Sequence, residues 1–211
     1  MDLTVKKSNH SEKARLGALG ENLVVANLMQ HGWDAFNANC TIKNFKAIDI
    51  VCINGDLCDK NSPYRPKVAF VQVKSSYQTN IPIGFSVGDC LDKEILRKKV
   101  IGAYVFVYAK KICENKYEFS YYVISREDFI ELAYQSHKWY VEGYTRTSKG
   151  EPLNSEERLN GIKLSSPAGF KISWLKGESE KATGNRIAFN NPLKGISCED
   201  KWENIWKDCE L

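Results

Sequence analysis

The succession of apolar segments predicts an α/β protein in which a mixed sheet is covered by helices, in the order helix, three strands, helix, two strands, helix. Three observations carry that expectation. Leu16, Leu19, Leu23, Ala26 and Leu28 recur at helical spacing over residues 12–30. Residues 47–53 and 67–76 are short runs rich in β-branched side chains, bounded by Gly, Asn, Asp or Pro, as strands are. Residues 103–108 are apolar almost without interruption, the composition of a buried strand. With 211 residues and 43% hydrophobic content, the chain is expected to form one domain with its core over residues 12–145.

In chain order, residues 1–11 are polar and expected to fray, with Ser11 able to cap the helix that follows. Gly17 and Gly20 each cost that helix about 1 kcal/mol relative to Ala. Close approach of the helix to the sheet would offset the cost. His31-Gly32 ends the helix with a left-handed cap, and residues 33–37 alternate as a first strand. After the turn-prone residues 39–44 come the strand holding Asp49, a long loop over residues 54–66 and the strand holding Lys74. Residues 77–88 read as irregular, and Asp89 as the cap of a short basic helix ending at Lys99. Strands at 103–108 and 119–124 flank a polar turn over 110–116, and Ser125, Glu127 and Asp128 open a helix running to Tyr134 or beyond. From Thr145 the texture turns to Gly, Ser, Asn and Pro, with short apolar pieces at 170–175 and 187–189 that fit added strands or a small hairpin. Residues 146–211 are thus an extension that packs on the core or serves binding and oligomerisation. Within it, Trp202, Ile205, Trp206 and Cys209 fall at helical spacing over 197–211. Two tryptophans on one face point to docking, onto the core or onto a second copy as a homodimer.

Three polar residues interrupt the two strands 47–53 and 67–76. Asp49 lies in the first, while Gln72 and Lys74 share one face of the second and Val71 and Val73 take the other. An ammonium inside a strand is rarely kept without a partner. If the strands pair antiparallel, Asp49 lies across from Gln72 and Lys74. A carboxylate, a carboxamide oxygen and an ammonium then converge, which is a site for a hard cation with a charged neighbour.

The pattern Asp49…Gln72-Val73-Lys74 resembles the PD-(D/E)xK nuclease superfamily, in the subgroup where Gln replaces the second acidic residue. Upstream, Gly17-Ala-Leu-Gly20-Glu21 resembles the first helix of that family with its acidic residue, and His31-Gly32-Trp33-Asp34 the passage into the first strand. The strands at 103–108 and 119–124 resemble its later strands, so the likeness spans residues 12–145. It implies a restriction-endonuclease-like fold with an αβββαβ core and metal-dependent hydrolysis of DNA by Glu21, Asp49, Gln72 and Lys74. Asp49, the Gln72 side-chain oxygen, the Val73 main-chain carbonyl and Glu21 would bind Mg²⁺, for which Mn²⁺ can substitute. Lys74 would orient the attacking water and offset developing charge. The likeness also suggests DNA contacts from Lys60, Arg65 and Lys67 in the long loop, and the basic helix offers Lys93, Arg97 and Lys98. For these cations a solvated surface is the plain alternative. The rival expectation is a nuclease-like domain that binds nucleic acid or a partner protein without cutting.

Composition narrows the field further. A net charge of +4 permits a polyanionic partner without demanding one. No apolar segment approaches the roughly 20 residues that span a bilayer, and the polar N-terminus lacks a signal-peptide stretch, so a cytoplasmic protein without a membrane partner is expected. The 7 cysteines form no CxxC pair and are expected to be reduced and structural. His10, His31 and His137 stand apart from one another, and no GxSxG, P-loop or dinucleotide fingerprint occurs.

Overall fold

A computed structural model describes residues 5–40, 48–55, 66–114, 116–146 and 163–208, with the backbone alone for 5–10 and 40. In chain order its elements are α1 (Val5–Gln30), β1 (Asp34–Asn37), a 3-10 turn (Ala38–Cys40), β2 (Ile50–Asn54), β3 (Lys67–Ser76), β4 (Asn80–Ser86), α2 (Val87–Cys90), α3 (Lys93–Lys99), β5 (Ala103–Cys113), β6 (Lys116–Ile124), α4 (Arg126–Glu142), β7 (Pro167–Lys171), α5 (Ile172–Leu175) and a second 3-10 turn (Trp202–Ile205). They form two compact units: Met1–Thr79, Ile101–Arg126 and Asp200–Leu211 make the first, and Asn80–Val100 with Glu127–Glu199 the second. No helix among the described residues is long and apolar enough to cross a membrane.

The first unit is mixed α/β around a 5-stranded sheet in the order β1-β2-β3-β5-β6. The β3–β5 pair is parallel and the other pairs are antiparallel. Period-2 alternation places Ile50, Cys52, Ala69, Val71, Val73, Val105 and Val107 on one face, where Val24 and Leu28 of α1 and Trp202 and Ile205 of the second 3-10 turn cover them. α1 ends where Gly32 takes φ +83°. Its N–H donates to the Met29 carbonyl at 3.0 Å, and the Trp33 N–H to the Leu28 carbonyl at 3.2 Å, which is a Schellman closure.

The two helix glycines have different reasons. A Cβ on Gly20 would lie 1.9 Å from the Ser75 Oγ and 3.1 Å from its Cβ, so α1 touches β3 there because residue 20 has no side chain. Nothing lies within 4 Å of a Cβ on Gly17. Close approach therefore explains one glycine and leaves the other unexplained.

Several expected boundaries move. Residues 5–11 are helical, because their polar side chains carry no helix breaker and polarity alone does not unwind a turn. The segment read as irregular contains β4, whose Ile81 and Ile83 are buried while Pro82 and Gly84 mask the alternation. Pro82 is tolerated because β4 belongs to a 2-stranded sheet with β7, where every strand is an edge. Strands β5 and β6 run on to Cys113 and back from Lys116, so most of the polar stretch read as a turn is hairpin beyond the core, with Lys110 opposite Glu118. Asp92, not Asp89, caps α3 by accepting from the Glu94 and Ile95 N–H groups, while Asp89 closes a capping box with Ser86 on α2. At 197–208 the structure has a 3-10 turn in place of an α-helix. Its three-residue period puts Trp202 and Ile205 on one side, and it is pinned by Asn204 donating to the Val123 carbonyl at 2.8 Å.

The second unit packs β4, β7 and α4 around aromatic rings. Phe129 meets Phe85 and Phe170, and Trp139 meets Trp174 and Phe189. Residues 170–175 thus split between the end of β7 and α5, and the paired strand they supply belongs to this smaller sheet. Burial here pushes the Cys90 thiol up to about 12, which keeps it protonated and unreactive.

Candidate active site

Asp49 sits where the β2–β3 ladder opens. The register pairs Ile50 with Val71, and one step further places Asp49 opposite Gln72. Its main chain divides between two neighbours: the N–H donates to the Val71 carbonyl at 3.0 Å, while its carbonyl accepts from the Ala38 N–H at 2.8 Å. The next ladder donor, the Val73 N–H, is therefore left to the Asp49 side chain, and it donates to Oδ2 at 2.8 Å. Asn39 donates to Oδ1 at 3.2 Å. Two hydrogen bonds fix the carboxylate, yet each oxygen keeps a further lone pair.

Glu21 reaches the same place from α1, one residue beyond the contact at Gly20. Asn37, the last residue of β1, donates to Glu21 Oε2 at 2.6 Å. Burial raises the Glu21 pKa above its ordinary value; the Asn37 hydrogen bond opposes this, and the nearby Asp49 charge adds to it. Lys74 is half-buried near the end of β3, and burial lowers its pKa although Asp49 and Glu21 both favour its charged form. The Lys74 ammonium makes no ion pair or hydrogen bond with any described residue. A desolvated cation thus lies in the field of two carboxylates without being locked to either.

Gln72 and Lys74 occupy the strand face opposite Val71 and Val73, as the alternation requires. The Gln72 carboxamide is half-buried and has no hydrogen-bond partner among the described residues. The donor set fits a hard cation. Its available ligands are oxygens, and the Asp49 charge raises the cost of ionising Glu21 in the way a bound cation relieves. No group of three or more His, Cys, Asp and Glu gathers among the described residues. Mg²⁺ sites manage with one or two carboxylates when waters and substrate phosphates complete the shell.

The structure thus brings Glu21, Asp49 and Lys74 together, with Gln72 and Val73 alongside. Sequence reasoning missed Asn37 and Asn39, which orient both carboxylates. Their spacing i, i+2 beside a strand end was the available signal, and it reads as turn chemistry when taken alone. The expected DNA-contacting cations among the described residues fall in both units. Lys60 and Arg65 lie outside the described residues, and Lys67 opens β3 in the first unit. In the second unit Lys93 pairs with Glu131, Arg97 with Glu94 at 2.9 Å, and Lys98 is exposed.

No protein-family model, curated protein or solved structure matches this chain. The fold and site define a mixed α/β protein in which a carboxylate from α1, a second just before β2 and a half-buried lysine on β3 gather where a strand pair opens.

Proposed function

We propose that the first unit is a restriction-endonuclease-like core and that the protein hydrolyses DNA phosphodiester bonds with the help of a divalent cation. One observation carries this reading: Glu21 from α1 and Asp49 beside β2 both act electrostatically on Lys74 of β3, so the three groups face one site. The order of α1, β1, β2, β3, β5 and β6 around a parallel β3–β5 centre supports it.

Asp49, Glu21, the Gln72 carboxamide oxygen and the Val73 main-chain oxygen would hold Mg²⁺ or Mn²⁺. Such a cation, when bound, polarises the phosphate and lowers the pKa of water. Lys74 does the rest. Its N–H donors orient the attacking water, and its charge offsets the charge that develops on the phosphoryl oxygens. Partial burial strengthens both effects, since the same charge acts through a lower dielectric than in water. Asn37 and Asn39 hold the carboxylates in place, so little reorganisation accompanies the reaction.

The deciding experiment incubates the full chain with plasmid, linear and single-stranded DNA in Mg²⁺, Mn²⁺ or excess EDTA. Nicking or cleavage that stops with EDTA is expected. Cleavage persisting in EDTA overturns the cation mechanism. DNA binding without cleavage transfers the protein to the second reading, a non-cutting nucleic-acid-binding domain, which the neutral Gln72 favours because it leaves the site one negative charge short.

A further inference from the structure

A cavity of about 240 Å³ lies wholly within the second unit, and its wall includes His137, Trp139, Tyr140, Lys171, Trp174 and Arg186. Its two cations are treated differently. Lys171 is neutralised by Glu180, which also accepts from Trp174 Nε1 at 2.8 Å. Arg186 has no carboxylate within ion-pair distance among the described residues. Its guanidinium lies 3.5 Å from the centre of the Trp139 ring and 4.4 Å from that of Tyr144, so aromatic faces hold it, while the Glu180 charge acts on it from beyond ion-pair distance. Its Nε is buried with no hydrogen-bond partner, and one terminal nitrogen reaches the Tyr140 carbonyl at 3.5 Å.

His137 supplies the opposite polarity. It is 5% exposed, and Nδ1 lies 2.8 Å from the Ala133 carbonyl. A carbonyl only accepts, so Nδ1 carries the hydrogen. Burial lowers the pKa of the ring, so at neutral pH Nε2 bears a lone pair, and it has no partner among the described residues. The wall therefore offers a guanidinium with one buried, unpaired nitrogen and an imidazole acceptor on a buried ring that has no partner among the described residues.

We propose that this cavity binds a phosphoryl group that retains one O–H, with the anionic oxygens on Arg186 and the hydroxyl donating to His137 Nε2. Sulfate has the same shape and charge but no hydrogen to give at neutral pH, so it would leave the acceptor unpaired. The group can be free inorganic phosphate or the monoester at a nucleic-acid end, whose second pKa near 6 leaves part of it protonated at pH 7. The inference does not depend on the nuclease reading, because none of its residues belongs to the site on the first unit.

Calorimetric titration of the full chain at pH 7 tests it, with sodium phosphate in one arm and sodium sulfate in the other. Phosphate should bind at least about fivefold more tightly than sulfate, the low end of the effect of leaving one polar group unpaired. Equal affinities, or no phosphate binding, overturn the proposal. Arg186→Gln should lose binding of both anions, and His137→Leu should bring the phosphate-to-sulfate ratio towards one. Should either variant fail to fold by circular dichroism, the ratio in the unmodified protein decides alone. A 5′-phosphorylated oligonucleotide against its 5′-hydroxyl twin then separates the sources: preference for the phosphorylated end assigns the monoester, and equal binding of the two oligonucleotides alongside phosphate binding assigns the free anion.

Discussion

Lys74 shows how a single position can serve chemistry at the expense of stability. Burial outweighs two carboxylates and lowers its pKa, so in the folded state its charge is held at a cost. The native protein therefore binds fewer protons than the unfolded chain between the lowered pKa and the ordinary value of 10.5, and that cost is fully present below this window. Lys74→Met should raise the melting temperature at pH 7, with the gain shrinking as the pH rises through the window, and should lower cleavage by about 100-fold or more. A variant that melts lower at pH 7, or that still cuts at the original rate, contradicts this account of the residue. Gln72 allows a second test, because a carboxamide gives one oxygen ligand and no charge. Mn²⁺ affinity by calorimetry should fall in the order Gln72→Glu, unmodified protein, Gln72→Leu, and a Leu variant that binds as tightly as Gln removes residue 72 from the ligand set. The order applies to affinity alone, since added negative charge also repels the phosphate and raises the pKa of bound water.

At the scale of elements, α1 and β3 are coupled through one contact. Gly20→Val introduces side-chain atoms where even a Cβ would meet Ser75, so it should destabilise the protein by about 1–3 kcal/mol. Gly17→Ala meets open space and should stabilise by up to about 1 kcal/mol through helix propensity. Urea titrations of both variants check the pair, and equal effects would mean that α1 does not rest on Ser75 in solution. Helix and strand types were legible wherever an element buries one face against its neighbours, as in α1, β2, β3 and β5. They were illegible where a strand carries Pro and Gly, as in β4, or where polar hairpin ends run past the core, as in β5 and β6. At residues 202–205 a tryptophan and an isoleucine satisfied a helical template equally well as one 3-10 turn, and contact with the sheet selected the turn.

For the molecule as a whole, the modest net charge of +4 makes salt the informative variable. If DNA is held through its phosphates, the logarithm of affinity should fall linearly with the logarithm of salt concentration, at about −0.9 per phosphate contact. Fluorescence anisotropy on a labelled duplex should give a slope of about −2 or steeper, and a flat line would exclude electrostatic DNA binding. What the sequence determined by itself was local: the α/β class, the alternating faces of β2 and β3, the glycine stop after α1, and the spacing that sets Gln72 and Lys74 on one side of a strand. Periods of 2 and 3.6 residues encode these directly. Tertiary structure alone decided that β3 and β5 lie side by side in parallel, that the chain condenses into two units, and that the ladder opens at Asp49 so that its carboxylate takes the Val73 N–H. It also decided that Asn37 reaches Glu21 and that Arg186 shares a wall with His137. Each of these joins residues distant along the chain, and the loop-closure and packing energies that select such contacts leave no periodic trace in the residues between them.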